Sequence, residues 1–409
     1  KDNNGRFSPL IWDMKESFGA FTDGLSAPFQ NSDLIELDVF HEILNNQNNL
    51  TSKVFSSDRY KRMYIAHLRT MLNEKFLNNN YKNLALSLQQ EIDTQVSSDP
   101  NVFYSYSEFI SNLDNSVGST IGISELMNNR VAYLQALPEL IASPPTISTN
   151  MNLSTNVLPF TSLDITATFT NSTYAYMGYR YKFADKFNKL EMFDDGLHGD
   201  GLAGDGIFGV TVNVDARDIQ YYFYAENNDA GIFSPQRAEK EFHQIAVVGG
   251  LVINEIMAGN SNSIADQDGE YDDWVELYNG NNFDLNLNGY YLSDSENDLT
   301  KWTFPNVTIA ANDYLIVWCD TAGSTQSGLH TTYRLSADQE EVYLSDPTGT
   351  LLDAVHYVNM PSDLGYARVP NGTGVMQYQN HSYAASNDNL SGIILTAYLV
   401  EFHKMKKKI

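Results

Sequence analysis

Residues 272–294 read DDWVELYNGNNFDLNLNGYYLSD. Two apolar-rich runs, at 274–279 and 290–293, are separated by Asn, Asp and Gly, the residues of tight turns. Alternation of large apolar and polar side chains with period two predicts half-buried strands. The same pattern extends outward. LVINEIM (251–257) precedes it, and YLIVWC (314–319), EEVYLSD (340–346) and LLDAVHYV (351–358) follow. No helical periodicity intervenes, so residues 249–389 are expected to form an all-β domain. Ile253, Val275, Leu277, Leu292, Leu315, Val317, Val342 and Leu344 fall at core positions, and Trp274, Tyr278 and Trp318 add apolar area. Glu255, Asp273, Glu276 and Arg368 lie close to these strands, either as an internal ion-pair and turn network or as a ligand patch. Cys319, the only cysteine, sits in an apolar run and reads as a buried core thiol. With one cysteine, no intramolecular disulfide can form.

Upstream, Gly249-Gly250 marks a boundary. Before it, Leu163, Ile165, Ala167 and Phe169 alternate with polar residues, as do Tyr179, Tyr181 and Phe183. Further strands are predicted at 210–212 and 221–225, giving a second all-β module over 143–248. Ser143-Pro144-Pro145 separates it from a region with helical spacing. There, Tyr60, Met63, Tyr64, His67, Leu68, Met71, Leu72 and Phe76 form one stripe, with Arg59, Lys61, Arg62 and Arg69 opposite. A second stripe runs Tyr81, Leu84, Ala85, Leu88, Ile92, Val96, and further helices are expected over 33–45 and 124–137. His67 lies within the first stripe with no Ser, Cys or Asp partner indicated, and reads as structural. Residues 390–409 are an apolar then basic tail.

Composition narrows the partners. Hydrophobic residues make up 42% of the 409, enough for ordinary cores. The formal charge of −26 repels nucleic-acid phosphates and anionic lipid, which excludes both as favoured partners. The apolar run 393–400 is far short of the roughly 20 residues of a spanning helix.

The segment FDDGLHGDGLAGDGIFG (193–209) holds Asp194, Asp195, Asp200 and Asp205 among six glycines. Closely spaced carboxylates repel unless a cation or hydrogen-bond donors compensate them. Calcium accepts several such oxygens in flexible geometry. The equally open alternative is a metal-free array of turns in which Asp side chains cap backbone N–H groups. The spacing is not that of an EF-hand, and His198 alone is a weak transition-metal ligand.

At the start, RFSPLIWDMKESFGAF (6–21) places Asp13 just past an apolar, strand-like run. A carboxylate there is placed to hold Mg²⁺ beside nucleotide phosphates, or to cap a turn. This segment, with YKRMYIAHLRTMLNEKF, the 81–96 helix and DPNVFYSYSEF, resembles the C-terminal part of CotH-type kinases, atypical secreted protein kinases. The resemblance implies that Asp13 binds the metal that accompanies ATP. It also implies a nucleotide-binding lysine and catalytic aspartate upstream of Lys1. The chain departs from the family at Lys15, where Asn or Asp is usual and a cation cannot ligate Mg²⁺. No GxxxxGK[ST] or GxGxxG pattern is present. The Asp–Gly segment resembles a hairpin of Ig-like modules in secreted bacterial proteins. LVINEIM, DWVELYN, YYLSD, YLIVWCD, EEVYLSD and GYARVPNG resemble, in order, the blocks of lamin-tail domains.

The expected fold is therefore multidomain: a mainly α-helical, kinase-like C-terminal region (1–142), then two all-β immunoglobulin-like sandwiches (143–248 and 249–389). The function implied is the C-terminal part of an extracellular or cell-surface kinase that phosphorylates protein Ser/Thr with Mg²⁺ and ATP, inactive by itself. Its β modules would bind an unknown protein substrate or surface ligand. The alternative is a non-enzymatic adhesion scaffold, stabilised by calcium at the Asp–Gly loop.

Overall fold

The computed structural model describes residues 18, 30–41, 49–148 and 157–389. Asp13 and Lys15, and the tail 390–409, lie outside the described residues. The chain forms two compact units: 1–148 with 168–176 and 223–241, and 149–167 with 177–222 and 242–409. The N-terminal part is helical and the remainder is built from strands.

In the first unit, the long helix Asp58–Met71 continues into a π-helical turn, Leu72–Phe76. Its buried positions are Ile65, Ala66, Thr70 and Leu72, whereas Tyr60 and Met71 of the expected stripe remain exposed. Two arginines of the cationic face are packed against a buried carboxylate. Arg59 Nε and Arg62 Nε donate to Glu226 Oε1 and Oε2 at 2.9 and 3.0 Å. The Arg59 guanidinium also lies 3.7 Å over the Tyr174 ring. Glu226 ends the run Phe223–Glu226, paired antiparallel with Gly231–Ser234. A carboxylate 3% exposed needs compensating charge, and two arginines one helical turn apart supply it. His67 stacks on Phe233 with centroids 4.5 Å apart, and burial holds it below the usual histidine range. The stripe expected as one helix from Tyr81 to Val96 is two, Asn80–Glu91 and Asp93–Ser98, broken at Ile92 where φ is −100°. Ser105 and Glu108 close a capping box that starts Tyr106–Ser111. The helix Ile123–Gln135 matches the spacing of 124–137, and Pro138 occupies the first turn of Pro138–Ile141.

In the second unit, a five-stranded antiparallel sheet orders Tyr314–Cys319, Asp273–Asn279, Leu251–Met257, Gly365–Val369 and Val375–Gln379. A four-stranded sheet orders Trp302–Thr303, Tyr291–Ser293, Gln339–Ser345 and Leu351–Val358. Side chains of both sheets share one core: Ile253, Val275, Leu277 and Val317 from the first meet Leu292, Val342, Leu344 and Tyr357 from the second. Each such side chain contributes roughly 1.5–3 kcal/mol on burial. Leu315 packs at the margin of this core. Cys319 is 1% exposed within it, and burial pushes its thiol well above the ordinary range.

One irregularity decides what the central strand presents. Its register slips between Glu276 and Leu277, so Glu276 faces Glu255 and Leu277 faces Ile253, leaving Asn254 without a cross-strand partner. The bulge lets Ile253 and Ile256, three residues apart, both reach the core. It also turns Glu255 to the opposite face, which carries Met257, Trp274 and Trp318.

Candidate functional site

The Asp–Gly segment closes between Asn188–Met192 and Ile207–Asn213, with Phe193 bridged to Gly209 at its base. Asp194 Oδ1 accepts the N–H groups of Gly204 (2.6 Å) and Asp205 (3.2 Å), and Oδ2 that of Gly206 (2.9 Å). Asp200 Oδ2 accepts from Asp195 N and Gly196 N at 2.8 and 3.1 Å. Asp195 Oδ1 accepts from Leu197 N, and Asp205 accepts from Leu202 N and Ile207 N. Gly196 (φ +80°) and Gly206 (φ +87°) take conformations that an L side chain rarely adopts, and their N–H groups donate to Asp200 and Asp194. All four carboxylates thus bind backbone donors. Asp200 is 1% exposed, and its Oδ1 has no hydrogen-bond partner. His198 Nδ1 lies 3.5 Å from Asp195 Oδ1. Among the described residues, no group of three or more His, Cys, Asp or Glu is arranged to hold a metal ion.

The charged groups near the C-terminal strands form three separate arrangements. Asp273 Oδ1 accepts the N–H groups of Gly259 and Asn260, holding the turn after Leu251–Met257. Arg368 is fully buried. Its Nε donates to Ile253 O (3.0 Å), Nη2 to both oxygens of Asp353 (3.0 and 3.2 Å), and Nη1 to Gly374 O (3.0 Å) and Asp218 (3.2 Å to Oδ1). Burial works against its charge, and Asp218 and Asp353 overcome that, holding the guanidinium above its usual range. For Asp353, burial outweighs the Arg368 pairing and pushes it up to about 6. Asp353 belongs to the opposite sheet, so the pair pins the two layers. Asp218 precedes Ile219–Glu226 of the upstream β region and also accepts the Val247 N–H at 2.9 Å. A second link joins the same regions: Lys182 Nζ reaches Glu296 (2.7 Å) and Glu341 (2.9 Å), and Arg217 reaches Glu296 at 2.7 Å.

Glu255 and Glu276 form the third arrangement, both 0% exposed. Glu255 Oε2 accepts from Ser382 N (3.1 Å), Ser382 Oγ (2.7 Å) and Tyr383 N (3.4 Å). Glu276 Oε1 accepts from Asn254 Nδ2 and Oε2 from Ala384 N, at 2.8 and 2.6 Å. Burial drives Glu255 up to about 7 against its hydrogen bonds. Burial drives Glu276 up to about 8, and the neighbouring Glu255 adds to the rise.

The sequence patterns single out none of Asp353, Asp218, Asn254 and Ser382. Asp353 carries a legible signal, a lone acid inside the apolar run LLDAVHYV. Asp218 and Ser382 have no local signal for their roles, because the charged groups they meet, Arg368 and Glu255, are more than 100 residues distant.

Comparison with known proteins bears on both ends of the chain. Residues 1–134 match the CotH kinase protein family, and residues 244–359 match the Lamin Tail Domain. No curated protein matches the sequence. Among solved structures, a DUF4876 family protein from Bacteroides thetaiotaomicron VPI-5482 is 13% identical, covering 57% of this chain and 96% of its own, with a TM-score of 0.21. Domains A168–A170 of titin are 10% identical over 53% of this chain and 66% of theirs, with a TM-score of 0.16. The chain carries a CotH kinase-family segment followed by a lamin tail domain.

Proposed function

We propose that this chain is the C-terminal part of an extracellular CotH-like protein kinase whose β modules, both immunoglobulin-like, position it on a substrate or surface. The family match over residues 1–134 carries the reading, because that span includes Asp13 in its WD context. Asp13 would hold the Mg²⁺ that accompanies ATP, neutralising phosphate charge during transfer to a protein hydroxyl. Taken alone, the chain is expected to transfer no phosphate. It contains no Gly-rich phosphate-binding pattern, and Lys15 replaces a residue able to ligate magnesium. The β part supports a positioning role: Arg368 and the Lys182–Arg217–Glu296 group tie residues 177–222 to the lamin tail domain. The test is phosphate incorporation from ATP by the full-length protein and its Asp13→Ala variant. Loss in the variant supports the reading, and equal incorporation removes Asp13 from the mechanism.

A non-enzymatic adhesion scaffold stiffened by calcium is the second reading, favoured by the unpartnered, buried Oδ1 of Asp200. Calorimetric titration with Ca²⁺ should then give heats that fall in the Asp200→Asn/Asp205→Asn variant. Absence of heat in the parent protein ends that reading.

A further inference from the structure

Two glutamates directly opposite one another on adjacent strands, both fully buried, are an unusual pairing. Like charges so placed repel, and no Lys, Arg or His is among the groups that shift either carboxyl. What covers them is the segment His381–Asn387. Its N–H groups at Ser382, Tyr383 and Ala384 point at the carboxylates. Tyr383 packs edge-on to Trp274 with centroids 5.5 Å apart, and Asn387 donates to the carbonyls of Asn254 (3.2 Å) and Arg368 (3.1 Å). Tyr383 and Ala384 are both left-handed, with φ of 44° and 55°, a conformation kept only while these contacts hold it. Gly365 leaves room for the arrangement, since a Cβ there would collide with Glu255 Oε1.

We propose that residues 381–387 form a proton-dependent strap, closed while the Glu255–Glu276 pair retains a proton and released when both carboxyls ionise. The other titratable groups facing the pair are Tyr278 on the strand of Glu276, Tyr314 on the next strand, His381 and Tyr383 on the strap, Asp388 through Asn371, and Asp266 beyond Tyr383. His381 pairs with Ser263 Oγ rather than with either glutamate, and burial holds it below the usual histidine range, so none of these groups is a cation when the pair is doubly ionised. Lifting the strap hydrates the carboxylates and returns them to ordinary acidity. Closure therefore takes up protons, and rising pH favours opening. The linkage begins in the ordinary glutamate range, where the opened carboxyls ionise, and is spent above about 7 and about 8, where the closed pair ionises. This reading is independent of kinase ancestry.

The experiment is amide hydrogen exchange of the full chain between pH 6 and 9, corrected for intrinsic exchange, read at residues 382–387. Strand Gln339–Ser345 of the opposite sheet serves as the control for global unfolding. The expected result is a rise in strap opening on the order of 1000-fold across this range, about tenfold through Glu255 and about 100-fold through Glu276, with the control strand unchanged. In Glu276→Gln, which cannot ionise, the rise should shrink at least about tenfold. Flat protection of 382–387 in the parent protein overturns the proposal, as does an undiminished slope in Glu276→Gln. If that variant does not fold, the parent profile alone decides.

Discussion

Arg368→Met should destabilise the lamin tail domain strongly at alkaline pH and weakly at acid pH. The side chain is 0% exposed and spans both sheets. Methionine fills the apolar part of its volume but makes none of its bonds to Ile253 O, Gly374 O, Asp353 or Asp218. Asp353 would keep only the Ile253 N–H, at 2.8 Å, as a donor to its buried carboxylate. Removing one partner of a buried ion pair costs about 3–5 kcal/mol. The pH dependence follows from Asp353, whose pKa is raised to about 6 in the fold even with Arg368 present. A carboxyl raised above its unfolded value stabilises the fold below the unfolded pKa, and that contribution fades as pH rises through the folded one. Without the arginine the rise is larger. At pH 4 the carboxyl is protonated in both proteins, and the variant loses about 1–2 kcal/mol of hydrogen bonding and packing. At pH 8 the full ~3–5 kcal/mol should appear. Urea unfolding of the full chain, followed by the fluorescence of buried Trp274 and Trp318, measures both values. Arg368→Met/Asp353→Leu should recover most of the pH 8 loss. A loss at pH 8 below about 1 kcal/mol, or one equal at the two pH values, would refute the reasoning.

Further expectations concern the first unit and the loop. Glu226→Gln leaves Arg59 and Arg62 without a counter-charge and should cost about 2–4 kcal/mol, read as loss of helical circular dichroism on heating. Burial raises Glu226, but Arg62, Tyr224 and Arg59 overcome it and hold it below the usual range. Its stabilisation is therefore present above the ordinary glutamate pKa and is lost as pH falls, so the parent and Glu226→Gln should converge in acid; divergence in acid would contradict the assignment. Asp194→Ala strands the N–H groups of Gly204, Asp205 and Gly206, and should cost about 1–3 kcal/mol and raise hydrogen exchange there without unfolding the sheets. Asp218→Ala should leave the core of residues 249–389 folded while loosening its link to the upstream strands, visible as faster exchange at Val247.

The glycines of the Asp–Gly segment show why some of this was legible. Their spacing forces tight turns wherever the loop lies, and capping by Asp side chains is local chemistry completed within a dozen residues. The strands around 274–279 were equally legible, because period-two alternation is a property of the chain itself. Helical spacing sets Arg59 and Arg62 on one face of Asp58–Met71 but names no partner for them. Only the fold brings a buried glutamate 164 residues away to Arg62.

Sequence by itself determined the sequence of structural types, the core positions of the lamin tail domain and the buried state of Cys319, since these depend on local periodicity and hydrophobicity. Tertiary structure decided which face Glu255 occupies, through a one-residue bulge that no local pattern announces. It also decided that Arg368 joins Asp353 to Asp218, and that 381–387 covers two carboxylates. The physical reason is the same in each case: the free energy of a buried charge is set by the partners that long-range packing delivers, and those partners are remote in sequence.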